Sequence, residues 1–174
     1  GILCIAEIFR NNPTLCASLK EETVCRIADY LCTLVEKYGV ALSGKSLFFF
    51  YTVTLVNGQP VEQNQKLVIN TLVHNERRRK ILVNVLSTKS ESEAARFFNL
   101  SASMTNFRAH GELQYHCNLY HLLAVCCRGK ATLQEARCKS LISFKQLVDA
   151  ITDERTPWTV MLPMLKFCYD AYID

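Results

Sequence analysis

Apolar positions recur at three- and four-residue steps over most of this chain, and those steps predict a succession of amphipathic helices. The plainest run begins near Tyr115. Leu119, Leu122, Leu123 and Cys126 fall on one helical face while Ala124, Val125 and Cys127 fill the flanks. A helix this apolar all round belongs inside a stack. Gly129 supplies the left-handed residue that ends it, and Arg128 in the last turn faces the negative end of the helix dipole. A short polar helix, Thr132 to Cys138, follows. Ser143 then opens another, with Gln146 closing a capping box and Leu147, Val148 and Ile151 as the buried stripe.

The same rhythm holds upstream. Ile2 to Arg10 reads as the end of a helix, and Asn12 caps the next, with Pro13 suited to its first position. A long helix is predicted from Glu21 to Tyr38. Its stripe is Val24, Ile27, Ala28, Leu31, Leu34, Val35 and Tyr38, with Glu21 and Glu22 in the first turn, Lys37 in the last and Gly39 as the stop. Ser43 or Gly44 begins a helix through Val56, stopped by Asn57-Gly58. Tyr51, Val53 and Leu55 also alternate as a strand would, but the length of the run favours helix. Pro60 starts a helix with Val61, Leu67, Val68, Thr71 and Leu72 inward, ending near Asn75, and another runs from Arg77 to Leu86. Ser90 and Glu93 make a capping box for Glu91 to Phe98. Leu100 to Gly111 is the least regular stretch, where a loop and mobility are expected. Thr156 caps a final helix that has Pro157 at its first position. Pro163 should kink or split that helix, and Met161, Leu165, Cys168 and Tyr172 carry its apolar face.

The order helix, tight turn, short helix, helix is how armadillo/HEAT-like solenoids build a repeat. The predicted fold is therefore all-α, an armadillo/HEAT-like helical-repeat solenoid forming one domain over residues 1–174. The chain starts at Gly1 without a Met and stops at Asp174 just past a helix, so it is expected to be a fragment of a larger protein. Neighbouring repeats would then be cut away, leaving apolar surface at each end.

Composition narrows the partners. Hydrophobic residues make up 49% and charged residues 21%, ordinary for a folded soluble chain. The net charge of +4 is too mild to argue for nucleic acid or an anionic membrane. The longest apolar run, around Leu47 to Val56, is about half of the roughly 20 residues a membrane span needs. No basic region precedes the apolar start and no small-residue cleavage site follows it, so it is not a signal peptide. Nine cysteines, an odd number with none in a C-x-x-C pair, argue for buried reduced thiols rather than a disulfide framework. The sequon Asn99-Leu100-Ser101 matters only in a secreted protein and is discounted for the same reason.

Two stretches bear on chemistry. Cys117 and His121 are four apart and share a helix face beside His116, but a third and fourth metal ligand have no sequence reason to converge. A packed His and Cys is the expectation, and no metal or cofactor is predicted. Arg77, Arg78, Arg79 and Lys80 form the one dense basic run. Four consecutive residues on a helix point four ways, so a solvated face, or a contact to an acidic neighbour in the full-length chain, is expected over a site for phosphate, acidic lipid or an acidic partner segment. No Cys is paired with a positioned His and acid, and no phosphate loop or nucleophile elbow is present, so no catalytic residue is named and no enzyme is expected.

The stretch Tyr115 to Thr152 resembles the ryanodine and inositol trisphosphate receptor homology domain, in the form found in the inositol trisphosphate receptor family. Leu122, Leu123, Ala124, Cys126, Gly129, Lys130, Cys138, Ser140, Leu141 and Thr152 carry the resemblance. Gly1, Ile2, Leu3, Ile8, Phe9, Asn11, Asn12, Leu15 and Cys16 fit the family's upstream segment. The family usually has acidic residues where Arg128, Lys145 and Gln146 stand here. The resemblance implies a cytosolic segment of a homotetrameric calcium-release channel of the endoplasmic reticulum. Such a segment contacts other domains of the same channel, couples ligand binding to the pore and is not itself membrane-embedded. A ryanodine-receptor-like channel and a soluble armadillo-type adaptor that binds peptides are the alternatives.

Overall fold

Val24, Ile27, Ala28 and Leu31 are buried on one side of an 18-residue helix, Glu21–Tyr38, that ends where Gly39 takes φ 74°. The computed structural model describes residues 1–86, 107–129 and 132–174. Among them the longer elements are all α-helices, so the chain is all-α. The helices are α1 (Ile2–Phe9), α2 (Pro13–Ala17), α3 (Glu21–Tyr38), α4 (Gly44–Thr54), α5 (Glu62–His74), α6 (Glu76–Leu86), α7 (Phe107–Cys127), α8 (Thr132–Lys139), α9 (Phe144–Thr152) and α10 (Trp158–Cys168). A 3-10 turn, Val40–Leu42, joins α3 to α4, and a π-turn, Tyr169–Ile173, extends α10.

The centre is α7. It packs against α4 on one side and α10 on the other, with the 3-10 turn, α5 and α8 around it. Leu119, Tyr120 and every residue from Leu122 to Cys127 are buried, which is what an all-round apolar helix requires. Two glycines permit the close approach. A Cβ at Gly111 would overlap the Ala41 carbonyl oxygen, and one at Gly44 would sit 3.2 Å from the Tyr115 backbone nitrogen. Beside Gly44, the Asn118 amide donates to its carbonyl at 2.9 Å.

Several caps fall where the sequence places them. Asn12 accepts from the Leu15 N–H at 3.1 Å, with Pro13 in the first turn of α2. Ser143 and Gln146 form their reciprocal box at α9.

Other expectations change. The helix predicted through Val56 stops at Thr54, and Leu55–Val56 pairs antiparallel with Gln59–Pro60. Asn57 (φ 50°) and Gly58 (φ 78°) make the two-residue turn that this hairpin needs. Pro60 therefore ends a strand, and the helix begins at Glu62. Gly111 lies inside α7, not in a loop; it marks a close backbone approach. The rest of the Leu100–Gly111 stretch up to residue 106, and the Ser90–Glu93 box, lie outside the described residues. Tyr38 is exposed. Thr156 does not cap the final helix; its hydroxyl donates to Ala150 O at 2.7 Å and ties that turn to α9.

Pro163 sits within α10 without splitting it. The buried row there is Val160, Met164, Phe167 and Ala171, while Leu165 points outward. Two apolar rows run along this helix, and packing on α7 selects one of them.

Candidate functional site

The residues flagged for chemistry are engaged in holding the fold. His116 is wholly buried, its ring edge-on to Tyr115 at 5.8 Å. Cys117, next along α7, donates its thiol to Thr159 O at 3.4 Å. That is the carbonyl four residues before Pro163, which has no N–H to offer it. Burial pushes the Cys117 thiol up to about 11, so it stays protonated and able to donate. His121 lies 5.9 Å from the Tyr51 ring, half-buried. Burial first, and then Lys166 and Arg128, lower its proton affinity. Among the described residues, no group of three His, Cys, Asp or Glu side chains is placed to hold a metal ion.

The basic run clamps α6 to α3. Arg77 meets Glu36 with two parallel bonds, 2.8 and 2.6 Å. Arg78, only 11% exposed, meets Asp29 at 2.8 Å and also donates to Thr71 O and Cys25 Sγ. Lys80 pairs with Glu76 one turn back at 2.8 Å. Three of the four cations thus answer to carboxylates of the same chain. The long-range partners Glu36 and Asp29, 41 and 49 residues away, leave no local signal in the sequence.

All nine thiols are free, and Cys16, Cys32, Cys126, Cys127, Cys138 and Cys168 are buried. Burial raises Cys126 well above the ordinary thiol range. Its neighbour Cys138 rises too, through the Cys127 contact and then burial. A thiol held protonated in this way is a poor nucleophile.

A concave surface lies where α7 ends. A cleft of about 590 Å³ opens between the hairpin (Gly58 to Pro60), Arg128 and Gly129, and the outer side of α10. Arg128 Nε meets Asp170 Oδ2 at 3.1 Å across it, and Asp170 is only 7% exposed. The helix-end cation Arg128 therefore has its own carboxylate. The same holds at Lys145, which pairs with Asp149 at 2.8 Å. Leu162, Leu165 and Lys166 of α10, with Tyr169 of the π-turn, form the facing wall. Their spacing was readable in the sequence, but only the structure leaves that row outside. The site offers an apolar wall with a cation beside it, suited to holding another chain.

No family model matches this chain. It is 28% identical over 173 residues to the inositol 1,4,5-trisphosphate receptor itr-1 of Caenorhabditis elegans. That similarity takes in 98% of this chain, which spans 6% of the receptor's length. No described helix is long and apolar enough to cross a membrane.

Proposed function

We propose that these residues form a segment of the armadillo/HEAT-like helical-repeat scaffold of an intracellular ligand-gated calcium-release channel resembling the inositol trisphosphate receptor. The observation that carries this reading is the similarity to a receptor of that kind along nearly the whole chain. In this reading the segment belongs to the ryanodine/inositol trisphosphate receptor homology type. It works on the cytosolic face of the endoplasmic reticulum, within a homotetramer, against other domains of the same channel.

Its role is coupling, without catalysis. α7 is held between α4 and α10, so a shift of one neighbour is felt by the other through packed side chains. Protonated, buried thiols and in-chain pairing of the basic run support a non-enzymatic part. No cofactor is needed for it.

The test is ligand-evoked calcium release from reticulum vesicles carrying the full-length chain. Gly111→Ala wedges α7 away from the turn at Ala41. The expected result is unchanged ligand binding, with the ligand concentration for half-maximal release shifted by about 5-fold or more. Thermal melting of the 174-residue chain checks that the variant still folds. Release that is unaltered in a folded variant overturns coupling, and a full-length chain that gives no ligand-evoked release overturns the channel reading.

A further inference from the structure

Tyr169–Ile173 is wound as a π-turn, and the Asp174 N–H closes it on the Tyr169 carbonyl at 3.0 Å. This winding is rare and occurs mostly as single turns, frequently where a protein works. Its effect here is to place Tyr172. Counted at about 100° per residue, a straight α-helix would keep Ala171 within roughly 20° of Val160 but carry Tyr172 roughly 120° from that buried row. A wider turn advances less per residue and brings Tyr172 back toward the core. There its hydroxyl donates to the Ile142 carbonyl at 2.8 Å, and its ring centre lies 5.0 Å from that of Phe144. Lys139 Nζ sits over the same ring at 5.0 Å. Ile142 and Phe144 belong to the corner between α8 and α9, so groups remote in sequence hold the turn. Asp170 lies only one step into the turn and is moved little by either winding. It is buried and fastened to Arg128 at 3.1 Å.

We propose that Tyr169–Ile173 is a register switch, π-wound while Tyr172 is seated on the α8–α9 corner and α-wound when that corner moves away. Asp170, held by Arg128, is the pivot. In the α-wound state the Ile173 N–H replaces the Asp174 N–H on the Tyr169 carbonyl. The Tyr172 ring leaves its seat, and Phe144 loses its cover. One hydrogen bond, one ring pair and one cation–ring contact stand against the return to ordinary helical winding. Opposing terms this small are what a two-state element requires. The switch deepens the coupling reading and rests on it for its use, since it converts a shift of the α8–α9 corner into a rotation at the end of α10. The two windings themselves do not depend on that reading.

The test is nuclear magnetic resonance on the isotope-labelled 174-residue chain, reading the scalar coupling across the hydrogen bond to the Tyr169 carbonyl. In the unsubstituted chain the coupled amide is expected to be that of Asp174. Tyr172→Phe keeps the ring and removes the bond to Ile142 O, and should raise the ratio of the Ile173 to the Asp174 coupling about 5-fold. Tyr172→Ala removes the seat and should leave the Ile173 coupling alone. The Arg128 Nε–H resonance should keep its shift throughout, as a pivot does, and unchanged Val160 and Met164 methyl shifts check that the core still folds. A coupling from Asp174 that persists in folded Tyr172→Ala overturns the proposal, because the π winding is then a property of the turn itself. Loss of both couplings overturns it too, because the released turn then has no second state. None of these readings involves calcium release, so failure here and failure of the channel reading are told apart.

Discussion

Gln65 donates its side-chain amide to the Val125 carbonyl at 2.6 Å, closing the end of α7 from a helix 60 residues earlier in the chain. The same amide reaches Arg128 O at 3.3 Å. The last carbonyls of a helix have no intrahelical partner, and here the surroundings exclude water, because Gln65 and Val125 are both buried. A glutamine from α5 thus adds a second donor to a carbonyl that also accepts from the Arg128 N–H at 3.1 Å.

Replacing Gln65 by Leu keeps most of the volume and leaves the Val125 carbonyl without that donor. The Arg128 N–H still serves that carbonyl at 3.1 Å, so the expected loss is about 0.5–1.5 kcal/mol, the net contribution of one hydrogen bond. Urea unfolding of the 174-residue chain measures it, with the midpoint falling and the slope unchanged. A midpoint equal to that of the unsubstituted chain would mean water reaches the helix end.

Asn64 and Gln65 illustrate what periodicity hides. Both are buried, and Asn64 donates to Cys16 O at 2.9 Å and Val53 O at 2.8 Å, tying α2 and α4 to α5. A hydrophobic pattern discards such residues as surface, since their value depends on carbonyls that only the fold brings near. Gly111 reads as a loop residue for a related reason: a glycine that breaks a pattern and one that admits a neighbouring backbone look alike in sequence. The Glu21–Tyr38 helix was legible to its ends because propensity, end charges and the Gly39 stop all agree locally. Of the cleft, Arg128 reads as a helix-end cation, but its partner Asp170 lies 42 residues on, inside an otherwise apolar stretch. The outward row of α10 was masked by the apolar row opposite, and only packing on α7 decides between them.

Thiol reactivity should divide sharply. Cys4 is the exposed cysteine; six others are buried, and Cys25 and Cys117 are intermediate. Attack on a disulfide reagent needs both access and thiolate, and burial withholds both. Ellman's reagent added to the native chain should give one fast phase, from Cys4, with Cys16, Cys32, Cys126, Cys127, Cys138 and Cys168 reacting only on denaturation. A fast phase that survives Cys4→Ser combined with Cys25→Ser and Cys117→Ser would show that one of the buried thiols is accessible and activated.

Stability should fall on acidification through His121. Its folded proton affinity lies below the ordinary value of 6.5, from burial and from Lys166 and Arg128. Below pH 6.5 the unfolded chain therefore binds a proton that the folded chain refuses, so stability rises with pH in that window and levels off above it. Between about pH 6.5 and pH 5, the unsubstituted chain should lose stability more steeply than His121→Gln. Lys166→Gln should shrink the difference by removing one source of repulsion. Parallel pH curves for the unsubstituted chain and His121→Gln would rule out this contribution.

Cys117 and Pro163 should prove to be coupled. Pro163 cannot donate to Thr159 O, and the Cys117 thiol does so at 3.4 Å. An S–H group is a weak donor and the position is half-open, so the bond is expected to contribute about 0.5–1 kcal/mol. Cys117→Ala in the unsubstituted chain loses this together with some packing. Pro163→Ala restores a backbone N–H to α10 and gives Thr159 O a partner of its own. In that background Cys117→Ala should cost only the packing part. The difference between the two costs, read by urea unfolding in a double-mutant cycle, isolates the bond from every other effect of the substitutions. Equal costs in both backgrounds would mean that Thr159 O is already served by solvent, and that Cys117 is kept at the α7–α10 contact for its shape alone.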